Sequence, residues 1–428
     1  GRIDHAKNEN WAKKALDKTY YFDKAIEKAL SMVNPEKTLI LVTADHSHTL
    51  TINGYQERGS NILGKTFLNY TTILYGNGPG YDRQDSEGLE ITDKKYRQKS
   101  AAFKESAAHG GEDVPVYATG PGSQFVTGVF DQSFIPYVVS ASACIGPFAF
   151  FCNSNLKMWT ALQLLTLVTI ISTISTTKGK ITNKGKDKGK SEALLRYYEK
   201  IKPSYKEYKE PNTKNPDSQN YKKESIYFIR LIFDYCLNVG DAKYWRYKNK
   251  NLLAQKVKIL KHLFGNTGLS TKAKNVIFFL GDGMGLSTVT AARLYKGNVE
   301  KTDPEAGCLS FEHFPSVSLA KVTRINPYRR HKSKLCIKVN SLNVTVADSA
   351  ATATSYLCGV KTNQNNIGVS GNVKLNDCEA SKIESNRVSS IIRWAQKAEK
   401  FTGVVTTTKI TDATPAVSYA HSANRAWE

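Results

Sequence analysis

The chain has 428 residues, with 60 Lys and Arg against 38 Asp and Glu and a formal net charge of +22. A hydrophobic content of 40% with 10% aromatics excludes a wholly disordered chain and suits one large domain or two to three ordinary ones. The charge does not point to nucleic acid: residues 178–274 carry 24 Lys/Arg and 9 Asp/Glu, so +15 of the excess lies in one low-complexity block of the kind that forms solvated tails and linkers.

Trp11 to Ala29 has the apolar spacing of an amphipathic helix, and Thr38-Leu39-Ile40-Leu41-Val42-Thr43 reads as a buried strand ending in Ala44-Asp45-His46-Ser47-His48. Open α/β sheets place their sites beyond such strand ends. A Gly/Pro-punctuated turn follows at Tyr75 to Gly80, and His109-Gly110-Gly111-Glu112-Asp113 leads into another short strand. Met158 to Ser175, following Lys157, has the grammar of a signal peptide and is marginal as a membrane span. An internal signal-like segment with its own Met reads as a second coding sequence joined to a first. A Lys/Gly repeat and a Tyr/Lys-rich stretch come next, and order is expected to resume near Asp241. Asn275 to Leu280 is a buried-strand run ending in Gly281-Asp282-Gly283-Met284-Gly285 and opening a helix over Ser287 to Tyr295; Gly403 to Thr408 is a last strand-like run before Asp412-Ala413-Thr414-Pro415. The start at Gly1 and the stop at Glu428 read as those of a fragment.

Four segments each bring a carboxylate or imidazole to a strand end or turn: Asp4 with His5, Asp45 with His46, His109, and Asp282. Singly, each is more often a turn former, an N-cap or a satisfied polar residue. Together, mixed Asp/His donors suit Zn²⁺ or a Zn²⁺/Mg²⁺ cluster. Ser349, at the head of the small-residue helix Asp348-Ser349-Ala350-Ala351-Thr352-Ala353-Thr354, is by default an N-cap. A helix N-terminus also offers free amides to an anion, and a metal beside the hydroxyl generates an alkoxide at neutral pH. The seven cysteines contain no CxxC pair, which leaves a cysteine zinc site unsupported, and two N-x-[ST] sequons begin at Asn69 and Asn343.

Six stretches, GRIDH, TLILVTADHSHTLTINGYQERG, AHGGEDVPVYATGP, NVIFFLGDGMGLSTVTAARLYKG, VADSAATATSYLCGVKTNQNNIGVSG and GVVTTTKITDATPAVSYAHSANRAW, resemble those of alkaline phosphatases of the animal, membrane-anchored type. The resemblance covers roughly residues 1–150 and 241–428, in an order opposite to the family's, and the piece that joins the two halves in the family is missing. It implies an α/β fold with a mostly parallel central sheet and helices on both faces, permuted and incomplete. The expected organisation is a carboxyl-terminal half over 1–150, a junction with the apolar segment over 151–177, a basic linker over 178–240 and an amino-terminal half over 241–428.

Carried over residue by residue, the resemblance makes Ser349 the nucleophile that becomes phosphoserine. Asp282, Asp45 and His46 would hold the zinc that ionises it, and Asp4 and His109 a second zinc that stabilises the leaving oxygen and activates water. Arg425 would clamp two phosphate oxygens. Thr414, with Asp282, would belong to a magnesium site that Asp412 reaches directly or through water. Two zinc ions and one magnesium are thus implied, with phosphate monoesters as substrates. A homodimer, a lipid anchor, a secretory route to the outer face of the plasma membrane and no nucleic-acid partner are implied as well.

This sequence departs from the pattern in three places. Asn8 stands where the family has a zinc-binding His, the Glu that completes the magnesium site precedes GRIDH in the family, and a basic stretch is inserted near Arg324 to Leu342. The resemblance pairs Cys144 with Cys152 and leaves Cys378 without its partner. The rival readings are a catalytically dead phosphatase-like protein or gene-fusion fragment, favoured by Asn8, and a polyanion binder acting through 178–274.

Overall fold

Thr38–Thr43 is buried at every position, and that sets the architecture, because a strand without a solvent face must be covered on both sides. In the computed structural model this strand, β1, is central. The structure describes residues 1–54, 56–66, 69–82, 88–152, 240–265, 272–303, 307–323 and 346–427. The expected junction beyond residue 152, most of the basic linker, the inserted stretch, the Asn343 sequon and Cys336 lie outside these residues.

In chain order the described elements that matter here are α1 (Arg2–Asn8), α2 (Ala12–Met32), β1, β2 (Ser47–His48), β3 (Leu50–Ile52), β4 (Ile73–Tyr75), β5 (His109–Gly110), β6 (Val114–Thr119), β7 (Gly128–Asp131), α3 (Ile135–Ala143), α4 (Ala242–Phe264), β8 (Asn275–Leu280), α5 (Leu286–Glu300), β9 (Ser316–Lys321), α6 (Ser349–Cys358), α7 (Ile391–Lys397) and α8 (Ala413–Ala416). The helix expected from Trp11 is α2, and the one expected from Ser287 is α5. α4 begins just after Asp241, whose side chain caps it by accepting the Lys243 N–H.

The main sheet runs β7-β9-β6-β1-β8. β1 is parallel to β8, β7 is parallel to β9, and β6 is antiparallel to both β1 and β9. Four strands therefore share one direction and β6 alone opposes them, a mixed sheet dominated by parallel strands. Successive residues of a strand face opposite sides, and both sides of β8 meet helices. Phe279 meets Phe22 of α2 edge to face at 6.0 Å, and Phe278 stacks on Tyr356 of α6 at 5.6 Å. All described residues belong to one compact unit built from 1–152 and the chain from 233 onward.

The strand-like run Gly403 to Thr408 is not a strand. Its backbone is unpaired in any described ladder and Val405 is fully exposed. Between it and the outer edge of β8 lies a cavity of about 1160 Å³, so among the described residues the run has no neighbour to complete a hydrogen-bond ladder despite its β-branched composition. No described helix is long and apolar enough to cross a membrane. Cys144 is disulfide-bonded, and Cys308, Cys358 and Cys378 are free.

Candidate metal and nucleophile centre

The site is built by register. In the β1/β8 ladder Thr43 is paired with Leu280, and each strand then runs on two residues to a carboxylate, Asp45 and Asp282. The two loops are sewn together: Gly281 donates its N–H to Thr43 O, and Gly283 donates its N–H to Asp45 Oδ1, both at 2.9 Å. Gly283 has φ of +74°, and a Cβ there would lie 3.2 Å from Asp4 Oδ1, so the turn needs glycine for conformation and for space. β6 is antiparallel to β1, so the segment before it, His109 to Asp113, arrives at the same end of the sheet. β9 ends there too, and α6 begins there with Asp348 as N-cap, its side chain accepting the Ala350 N–H.

Two groups of donors result. Asp45, His46 and Asp282 form one and Asp4, His46 and His109 the other; within each, the candidate ligand atoms lie within 4.8 Å of one another. Ser349, buried at the start of α6, places Oγ 3.0 Å from His46 Nε2 and 3.4 Å from Asp282 Oδ1, to which it donates. The rings of His46 and His109 stack at 3.6 Å. Arg425 donates through Nη2 to Asp412 Oδ1 at 3.1 Å and holds Nη1 3.6 Å from Asp348 Oδ2, so its fork is aimed by two carboxylates beside the α6 N-terminus. Asp412 caps α8, and its Oδ2 lies 3.8 Å from His5 Nε2. Thr414, half-buried in the first turn of α8, borders the same cavity as Asp282.

The electrostatics are those of a site short of positive charge. Burial, followed by the field of Asp282, raises Asp45 to about 8 and Asp4 to about 6. Burial also acts to raise Asp282, and the neighbouring His46 opposes it. Burial works against a charge on His46 too, but Asp45, Asp4 and Asp282 overcome it and raise the imidazole above its ordinary value. His109 is lowered to about 4, mainly by burial and then by His46.

Asp4 Oδ1 and Asp45 Oδ2 are buried with no hydrogen-bond donor. Nδ1 of His46 faces Ser47 O at 2.9 Å and Nδ1 of His109 faces Ala347 O at 3.1 Å, so in both rings the proton belongs on Nδ1 and Nε2 is the nitrogen free to ligate. Orphaned carboxylate oxygens facing imidazole nitrogens are a donor set that fits a divalent cation.

Sequence reasoning passed over four residues at this centre. His48 is buried, pairs in register with His109 and lies 3.5 Å from Asp4 Oδ1. Its position two residues after His46, on the same side of an extended chain, was the available signal. Lys7 is fully buried, donates to Gly283 O at 2.6 Å and to Thr288 Oγ1, and is lowered to about 7 by burial. Glu112 accepts from Ser47 Oγ, and Asp348 aims Arg425. These three carry no periodic or spacing signal.

The alkaline phosphatase family model matches residues 1–145 and 273–428. Relatives include the tissue-nonspecific alkaline phosphatases of Gallus gallus, 44% identical over 187 residues, and of Homo sapiens, 43% identical over 187 residues. In both, the match covers 44% of this chain and 31% of the relative. Alkaline phosphatase 4 of Drosophila melanogaster is 41% identical over 179 residues, 36% of this chain and 30% of its own. The matched stretches thus span about a third of the length of these relatives. With the family model covering both segments that build the sheet and the donor cluster, the chain belongs to the alkaline phosphatase family.

Proposed function

We propose that this chain hydrolyses phosphate monoesters through a phosphoserine on Ser349. The observation that carries the reading is the position of Ser349 Oγ, 3.0 Å from His46 Nε2 at the rim of the Asp45/His46/Asp282 group and at a helix N-terminus. Phosphoryl transfer needs charge stabilisation at the attacking and the leaving oxygen more than it needs covalent chemistry from the protein. Asp45, His46 and Asp282 would hold zinc beside the hydroxyl, Asp4 and His109 would hold a second zinc, and Asp282 with Thr414 and Asp412 would serve magnesium. Such ions, when bound, lower the pKa of a hydroxyl or a water and neutralise the developing charge. The chain's own groups do the rest. The amides that open α6 and the Arg425 fork bind and orient the phosphoryl oxygens, and Asp348 and Asp412 keep that fork from turning away.

We infer further that residues 1–150 and 241–428 are two halves of one such domain joined through 151–240, as a secretory protein of the outer plasma-membrane face. The disulfide at Cys144 supports an oxidising compartment. Homodimerisation and a lipid anchor come from the family alone.

Purified chain supplied with zinc and magnesium and assayed on an aryl phosphate tests the activity. Hydrolysis that Ser349→Ala reduces about 10³-fold or more is expected; turnover equal in the two proteins would sink the assignment. A second reading, a catalytically dead phosphatase-like protein, is favoured by one contact: Asn8 Nδ2 donates to Asp4 Oδ2 at 2.8 Å, where an imidazole would ligate. Activity appearing only in Asn8→His would establish it.

A further inference from the structure

We propose that the outward face of α4 binds a sulfated polysaccharide, a linear polyanion of the extracellular space, through Lys243, Arg246, Lys250, Lys258 and Lys261. The surface uses none of the residues around Ser349, and the proposal adds a binding role to the hydrolase reading without resting on it.

α4 holds six lysines, one arginine and one histidine in 23 residues, and neither Asp nor Glu. Its rotation about its own axis is fixed by the buried stripe Ala242, Trp245, Asn249, Leu253, Val257 and Leu260. Polar ties hold it as well: Asn249 Nδ2 donates to Ser133 O at 3.1 Å, and Lys256 Nζ donates to Thr127 O at 2.7 Å. At about 100° per residue the five named cations fall within about 120° of one another, in a row about 27 Å long. Four of them are exposed and Lys261 is half-buried.

The row is not neutralised from within. Lys248 lies 3.8 Å from Asp131 Oδ2, but none of the five is paired with a carboxylate among the described residues. Lys243 with Arg246 and Lys258 with Lys261 at i,i+3, and Arg246 with Lys250 at i,i+4, set like charges side by side, and Lys243 sits in the first turn, where the helix dipole favours anions. Each of these costs the helix stability. A polyanion laid along the row removes that repulsion and meets a backbone already in place. What the row lacks narrows the kind of polyanion. Exposed Ile259 and Leu263 lie about 160° round the helix from Lys243, so no bulky apolar side chain stands among the cations to enter a bilayer. Tyr244 and Tyr247 are half-buried, which leaves nucleobases no fully exposed ring to stack on. The disulfide at Cys144 accords with the oxidising space in which sulfated polysaccharides occur.

Calorimetric titration of the full chain with a heparin decasaccharide, repeated across a range of NaCl concentrations, is the test. One variant carries Lys243→Gln, Arg246→Gln, Lys250→Gln, Lys258→Gln and Lys261→Gln. Its affinity near physiological salt should fall about 30-fold or more, and the slope of log affinity against log salt should become shallower by about 3. A control carrying Lys178→Gln, Lys180→Gln, Lys184→Gln, Lys186→Gln and Lys188→Gln removes the same charge from the basic linker and should stay within about threefold of wild type. Unchanged heparin affinity in the α4 variant, or equal loss in the two variants, would overturn the proposal. Single-stranded DNA or phosphatidylserine vesicles bound by wild type as tightly as heparin would overturn the choice of ligand. The α4 variant should melt no lower than wild type, since its substitutions relieve repulsion. If it does not fold, Lys250→Gln with Lys258→Gln decides, with a loss of about fivefold expected and an unchanged affinity counting against the proposal. Ester hydrolysis is not read in this experiment, so a chain that never turns over substrate but binds heparin through α4 keeps this inference and loses the phosphatase reading.

Discussion

Asp45 Oδ1 accepts the backbone N–H of Gly283 at 2.9 Å, so the carboxylate that follows one strand is tied to the turn that presents Asp282 after the next. The same oxygen also accepts the His46 N–H at 2.8 Å. Asparagine can accept both bonds without carrying charge, and Asp45→Asn therefore separates the two jobs of this residue. With a carboxyl held at about 8 in the fold against 3.8 when free, the native state binds the extra proton between those values. That contribution is complete below pH 4 and lost as pH rises to 8. The metal-free Asn variant should be more stable than wild type by on the order of a few kcal/mol above pH 8, with the gap closing towards pH 4. It should also lose its zinc-dependent rise in melting temperature. Thermal denaturation with and without zinc at the two pH values checks both.

Cation binding should release protons. Asp45 at about 8 and a raised His46 carry protons near neutrality, and Asp4 at about 6 does so below it; a bound cation displaces them. Affinity for zinc should climb from pH 6 to pH 8 and level off above. Calorimetry in buffers of different ionisation enthalpy at pH 7 should report at least one proton released per cation; a pH-independent affinity would contradict the assignment of these groups as ligands.

Arg425 is aimed by Asp412 and Asp348 through two different nitrogens, a geometry a lysine ammonium cannot copy. Arg425→Lys should raise KM for an aryl phosphate, and the inhibition constant of inorganic phosphate, about 10- to 100-fold, the loss of one charge-assisted bond. A change confined to kcat would place Arg425 elsewhere in the reaction.

Trp245 lies on α4, outside the stretches matched by the family model, yet its side chain is fully buried with the Lys248 ammonium 4.7 Å from its ring centre. Trp245→Ala should cost about 3–5 kcal/mol through the cavity it leaves. Urea unfolding measures it; a loss under about 1 kcal/mol would mean that α4 adds little to the fold.

Much of the sheet was legible because β1 and β8 announce themselves as unbroken apolar runs followed by a carboxylate. Their adjacency was not, since nothing local to residue 43 says that residue 280 is its partner; that follows only once both strands seek cover in one core. Gly403 to Thr408 shows the converse error: composition favours a strand, but a strand also needs a neighbouring edge, which is a property of the assembled sheet. His48 and Lys7 illustrate a third limit. Their side-chain hydrogen bonds reach Asn8 in the one case and Gly283 and Thr288 in the other, across 40, 276 and 281 residues of chain, and a spacing rule has no purchase at that distance.

His46 belongs to both donor groups. One Nε2 makes one coordinate bond, so the ring cannot complete both positions at once, and whichever cation claims it leaves the other with a smaller set of ligands. The stacked rings of His46 and His109 thus stand where the two donor groups meet, and the shared imidazole can complete either group but not both.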